Sequence, residues 1–236
     1  MSNPINIEIS CDGSFIIDDE EIMSAEPIDM KSCGWTGDTL NIIGNNNNNN
    51  NSVVMTNIFE NGSTSIVRIN SDIIEVGGVR YKRESSDNCQ KKLFSMKWNS
   101  TPFPNPVITG LNLKGGVKQV DVKARIDDDC DISISGTGNI LLPGSYEDSS
   151  MNVTISGSGT ILGADAIVGT NLGNGKVRRL SLIISGSGNV RGFHALKSLK
   201  ATVSGVGNVS CTHDPQCSVR QQKSGMGIIN FTPSTK

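Results

Sequence analysis

Apolar and polar residues alternate through most of the second half of the chain, in short runs that lead into one recurring block. At five, three and one positions before the blocks stand Cys130/Ile132/Ile134, Met151/Val153/Ile155, Leu180/Leu182/Ile184 and Leu199/Ala201/Val203. Between them stand Asp131/Ser133, Asn152/Thr154, Ser181/Ile183 and Lys200/Thr202. A period of two puts the first sets on a buried face and the second in solvent, which predicts β-strands. The blocks are Ser135-Gly136-Thr137-Gly138-Asn139-Ile140, Ser156-Gly157-Ser158-Gly159-Thr160-Ile161, Ser185-Gly186-Ser187-Gly188-Asn189-Val190, Ser204-Gly205-Val206-Gly207-Asn208-Val209 and Ser224-Gly225-Met226-Gly227-Ile228-Ile229. Their serines lie 21, 29, 19 and 20 residues apart. A repeat of about 20 residues with one insertion predicts an all-β fold, a β-helix-like solenoid of stacked coils. The insertion maps to the glycine-rich loop 169–175. In the last copy the inward set is Val219/Gln221/Lys223, a polar face suited to a terminal coil.

The glycines stand second and fourth in every block, where they permit turns at positive φ and close approach of stacked coils. Stacking also predicts a serine ladder and an amide ladder of Asn139, Asn189 and Asn208, with Thr160 as substitute. Ile and Val fill a thin core, in keeping with 4% aromatic residues.

The first half is less regular. Ile5 to Ser10 alternates like the repeats, and Ile69 to Tyr81 reads as strand, turn and strand around Gly77-Gly78. Leu111-Asn112-Leu113-Lys114-Gly115-Gly116 resembles a degenerate block with Lys114 in the serine position. Residues 1–98 are expected to form an irregular β region containing the asparagine tract 45–51, an exposed loop. Residues 99–106 hold three prolines and are expected to act as a linker. The solenoid is expected over 107–236.

The formal charge of −2 offers no nucleic-acid footprint, and no apolar run approaches the length of a membrane span. Charge is segregated: residues 1–60 carry net −9, 61–125 net +6 and 126–236 net +1. Such blocks can pair within the chain or with a second copy head to tail. The opening residues show no basic region followed by an apolar run, so no secretory signal is expected and synthesis is assigned to the cytoplasm. The six cysteines show no disulfide framework, and a reduced compartment follows. Cys211 to Cys217 encloses His213, but no second Cys/His cluster completes a tetrahedral metal site.

The Ile-Ser-Gly-Ser-Gly-Asn-Val block (Ile184 to Val190), repeated at about 20 residues, resembles the head GIN domain of auto-transporter adhesins. The resemblance covers roughly residues 107–229, about half of the chain. It implies a surface-associated or adhesive β-solenoid, with no catalytic residues to carry over. No signal peptide or lipid-anchor cysteine is expected from the opening residues, a departure from that family.

Other chemistries fit poorly. The Gly-Ser-Gly steps recur between strands, whereas a dinucleotide fingerprint needs one such loop between a strand and a helix. Gly169 to Lys176 misses the P-loop spacing by one residue and has Val177 where Ser or Thr should bind magnesium. Asp127 to Asp131 matches no calcium loop and reads as a charged edge that discourages sheet pairing. Sequons such as those at Asn61 and Asn99 are expected by chance in an Asn-rich chain. β-Helices that cleave polysaccharides need acids and bases clustered across neighbouring coils, and no paired acids fall in register here. Arg178, Arg179, Arg191, Lys197 and Lys200 form a modest basic set, suited to an acidic glycan or a phosphate. The sequence therefore predicts a non-enzymatic structural or adhesive protein of a cell or virion surface, without cofactor, metal, nucleic-acid partner or membrane insertion. Its expected partners are a glycan or copies of itself. The alternatives are a polysaccharide-cleaving enzyme and an intracellular self-assembling scaffold.

Overall fold

A computed structural model describes residues 3–44, 53–58, 64–69, 73–76, 79–82, 91–103, 106–124, 126, 129–142, 146, 149–166 and 176–234. The asparagine tract 45–51, Asn61, the Gly77-Gly78 turn, Cys89, Asp127, Asp128 and the loop 169–175 lie outside the described residues.

The protein is all-β; among the described residues no helix exceeds a three-residue 3-10 turn. In the first part, β1 (Asn3–Ser10), β2 (Ser14–Ile17) and β3 (Glu21–Ser24) are followed by the antiparallel hairpin of β4 (Met30–Thr36) and β5 (Thr39–Gly44). Next come β6 (Val53–Ile58), β7 (Thr64–Ile69), β8 (Ile73–Val76) and β9 (Val79–Lys82), an antiparallel sheet in sequential order. The remaining strands are β10 (Ser95–Lys97), β11 (Pro106–Leu113), β12 (Gly116–Val122), β13 (Cys130–Ile134), β14 (Thr137–Leu142), β15 (Ser150–Ile155), β16 (Ser158–Gly163), β17 (Lys176–Ile184), β18 (Ser187–Val203), β19 (Val206–His213), β20 (Ser218–Lys223) and β21 (Met226–Pro233). Short 3-10 turns follow β10 at Trp98–Ser100 and β16 at Ala164–Ala166.

Strands two apart in the repeat region pair in parallel, and two ladders result. One runs β5–β1–β11–β13–β15–β17–β18–β20. The other runs β2–β12–β14–β16–β18–β19–β21. The 17-residue β18 belongs to both, pairing with β16 through its first residues and with β17 through its last. At the N-terminal edge the ladders finish in antiparallel strands: β4 on β5, and β3 on β2 with β10 beyond it. At the other edge stand β20 and β21, both parallel to the strands before them.

Register fixes the core. Leu111, Ile132, Val153, Leu182 and Ala201 align across the first ladder, as do Leu113, Ile134, Ile155, Ile184 and Val203. Val120, Ile140, Ile161, Val190 and Val209 align across the second. All of them are buried. Each such side chain contributes about 1.5–3 kcal/mol on burial, so the stacked columns are the main cohesive term. Leu113 stands opposite Ile134, which puts Lys114 where Ser135 stands one strand later.

Residues on either side of the proline-rich stretch share these ladders. Ile7 pairs with Leu111 and Phe15 with Val120. The buried Trp98 donates from Nε1 to the Asp18 carbonyl at 2.9 Å, and Phe103 packs on Trp35 with ring centroids 4.9 Å apart.

The block glycines act mainly through space. A Cβ on Gly157, Gly186, Gly205 or Gly225 would run into the carbonyl oxygen of the matching glycine one block earlier. Gly159, Gly188, Gly207 and Gly227 form a second column of the same kind. The expectation of turns at positive φ holds in these columns only for Gly138 (154°) and Gly227 (150°). Parallel backbones at about 4.8 Å leave no room for a methyl where the chain turns toward its neighbour.

Candidate functional site

The ladders distribute the five basic residues over two faces. Arg179 lies on the first ladder opposite Ser198, and Lys200 lies there between Ser181 and Arg220. Lys197 sits in a register shift of β18, across from Arg178. The Arg178 guanidinium reaches Ser150 Oγ at 3.5 Å and Asp129 at 3.9 Å. Arg191 is apart from the other four: it lies on the second ladder between Leu162 and Ser210.

Arg191 points outward by strand alternation after the buried Val190, and the β-bulge that follows it turns Phe193 inward. Arg191 pairs with Ser210 and Phe193 with Cys211, so Gly192 between them is the extra residue, at φ 81°. A Cβ at Gly192 would strike Ala166, and the positive φ also favours glycine. Beneath the bulge, Tyr146 is buried and stacks at a tilt on Phe193, with centroids 5.9 Å apart. Its hydroxyl accepts the Ala164 N–H at 2.7 Å, which anchors the 3-10 turn carrying Asp165. Burial pushes the Tyr146 phenol well above its ordinary range, so it remains a neutral hydroxyl.

A cavity of about 410 Å³ opens at this bulge. Arg191, Asp165, Ser210, Thr212 and Thr232 supply its polar lining. Neither Arg191 nor Asp165 has an ion-pair partner among the described residues. Thr212 is hydrogen-bonded to His194, a buried residue only 8% exposed. His194 Nε2 lies 2.9 Å from Asp214 Oδ1, and Nδ1 lies 2.8 Å from Thr212 Oγ1. A carboxylate only accepts, so Nε2 carries the proton in the neutral ring and Nδ1 accepts the Thr212 hydroxyl proton. The free lone pairs of Thr212 are then left for the cavity.

A second, shallower groove of about 610 Å³ runs along the outside of β16, β18, β19 and β21, floored by the glycine column. Its edges are the register columns Ser158–Ser187–Val206–Met226 and Thr160–Asn189–Asn208. Asn208 Nδ2 donates to Asn189 Oδ1 at 3.1 Å, and Asn208 Oδ1 accepts from Ile228 N at 3.0 Å. The amide ladder thus hydrogen bonds along the stack, while Asn139 Nδ2 donates to the Lys118 carbonyl.

The Cys211–Cys217 loop holds two free thiols. Burial drives the Cys211 thiol up to about 12, and His213 Nδ1 donates to the Asp214 carbonyl. The sequence pattern singles out none of His194, Asp165, Ser210, Thr212, Asp214 and Thr232 as a site. The repeat itself was a usable signal, because residues one repeat apart become neighbours. His194, Thr212 and Thr232 stand 18 and 20 residues apart and meet in register.

No protein-family model matches the chain, and no curated protein matches it.

Proposed function

We propose that the protein is a β-solenoid scaffold, with coils of about 20 residues, related in design to the head GIN domains of adhesins. Its role is structural or adhesive: it presents a rigid surface for binding or assembly. The observation that carries this reading is the unbroken register of the glycine column Gly138–Gly159–Gly188–Gly207–Gly227 across successive strands. Backbone at that spacing is set by neighbouring rungs, so the outward columns are held in fixed positions. Short polar side chains on a fixed lattice suit repeated contact with an extended polymer more than chemistry at one atom.

Antibody labelling of intact and permeabilised cells of the native source tests the location. Glycan arrays probed with the purified chain test the binding. Surface labelling together with glycan capture supports the adhesive reading; specific turnover of any polysaccharide counts against it.

Self-assembly is a second reading, favoured by a separate observation. Val206, Val219, Met226 and Ile228 are exposed large apolar residues, and all lie on the last three strands. Met226 and Ile228 are 72% and 65% exposed. Apolar surface beside the end strands of the ladders is an association site. Sedimentation of the wild type should show concentration-dependent oligomers that Met226→Ser with Ile228→Thr abolishes. A monomeric wild type at high concentration ends this second reading.

A further inference from the structure

We propose that the cavity at the Gly192 bulge binds a carboxylate-bearing sugar, a uronic acid unit of an acidic polysaccharide. This names the ligand of the presenting surface proposed above and rests on that reading.

The cavity, at about 410 Å³, falls within the size range of small-ligand sites. Its polar lining is selective. Arg191 offers a planar guanidinium with no ion-pair partner among the described residues, the group best suited to a carboxylate. Asp165 lines the same cavity and stands beyond ion-pair distance from Arg191. A ligand that is anionic at one end and rich in hydroxyl donors at the other satisfies both groups. A phosphate would meet Arg191 but be repelled by Asp165. A neutral sugar would leave Arg191 unused.

Ser210, Thr212 and Thr232 add three hydroxyls, which favour a polyhydroxylated ligand over an amino acid. Thr212 is restricted further. With the His194 ring neutral, the Thr212 hydroxyl donates to Nδ1 and its oxygen keeps acceptor capacity, matched to a sugar O–H. His194 and Asp214 are therefore positioning residues, and the buried ring has a role in fixing the hydroxyl.

The fold fixes the backbone that carries these groups. Arg191 and Ser210 are register partners, as are Thr212 and Thr232. Gly192 fixes the bulge, which turns Phe193 into the core beneath the cavity while Arg191 stays outside. Little backbone ordering is left for the ligand to impose, while the exposed Arg191 side chain is ordered on binding.

Nuclear magnetic resonance on the full, isotope-labelled chain tests the site. Glucuronate, glucose, glycine and inorganic phosphate are titrated separately, and the amides of residues 191–193 and 210–212 are followed. Glucuronate should shift these amides saturably, with glucose at least about tenfold weaker. Arg191→Gln should weaken glucuronate by about tenfold or more, with Arg191→Lys intermediate. Arg191 and Asp165 are exposed, and an unchanged spectrum elsewhere certifies the fold of Arg191→Gln and Asp165→Asn. Three outcomes overturn the proposal: no saturable shift with glucuronate, equal binding of phosphate or glycine, or glucuronate binding indifferent to Arg191→Gln. Acidic polysaccharides that bind elsewhere on the chain would remove this site and leave the presenting-surface reading intact. Glucuronate bound here, in a protein that labels only inside cells, would do the reverse.

Discussion

Replacing Gly186 by Ala separates the two things a block glycine can do. Gly186 has no positive φ, so a change in backbone preference costs nothing there. Its Cβ would meet the Gly157 and Ser156 carbonyl oxygens, with the Ser156 carbonyl carbon at 2.6 Å. These are backbone atoms and cannot swing aside as a side chain can. Two strands must separate locally, which strains Gly186 N to Ile155 O at 3.0 Å and Ser187 N to Gly157 O at 2.8 Å. Weakening two such bonds costs about 1–3 kcal/mol. Overpacking adds about 1–3 kcal/mol. The expected loss is therefore about 2–6 kcal/mol, and the melting temperature should fall by at least about 4 °C. Gly37→Ala is the control: nothing lies within 4 Å of its Cβ, but φ is 62°. It should cost about 1–2 kcal/mol from conformation alone. Thermal and urea unfolding followed by circular dichroism read both variants. If glycine at 186 serves only chain freedom, Ala would stabilise by about 0.4–1 kcal/mol. An unchanged or raised melting temperature for Gly186→Ala would refute the steric argument.

Tyr146→Phe removes the acceptor of the Ala164 N–H and leaves a buried donor unpaired, at a cost of about 1–3 kcal/mol; hydrogen exchange at Ala164 should quicken more than exchange in β15. Alkylation by iodoacetamide near pH 8 should modify Cys217 well before Cys11, Cys130 or Cys211. Burial holds those three thiols at about 11, 12 and 12, so little thiolate exists until the solution is strongly alkaline. Mass spectrometry of tryptic peptides gives the order, and early modification of Cys211 would contradict its placement.

Much of the stacking was legible because the repeat states it several times. Ile132, Val153, Leu182 and Ala201 were each placed inward by alternation alone, and each is buried. What alternation cannot carry is partnership at long range. Ile5 to Ser10 reads as a strand in isolation, but nothing local says that its neighbour is Pro106 to Leu113, about a hundred residues on. The site was hidden for a related reason. The basic residues were grouped by nearness in sequence, whereas β18 turns from one ladder to the other and carries Arg191 away from Lys200. Gly192 stands outside the repeated block, and its extra residue shows only where Arg191 pairs with Ser210 and Phe193 with Cys211.

The position of β20 and β21 at the end of both ladders sets how the chain bears load. Tension on the C-terminal strand acts first on strands that, among the described residues, pair on one side only, so it peels them away one after another. Each serine-to-serine segment of 19 or 20 residues there releases about 65–70 Å of chain. Single-molecule stretching should therefore record a sawtooth with that step. A chain paired this way yields by small increments while the strands below it keep their grip.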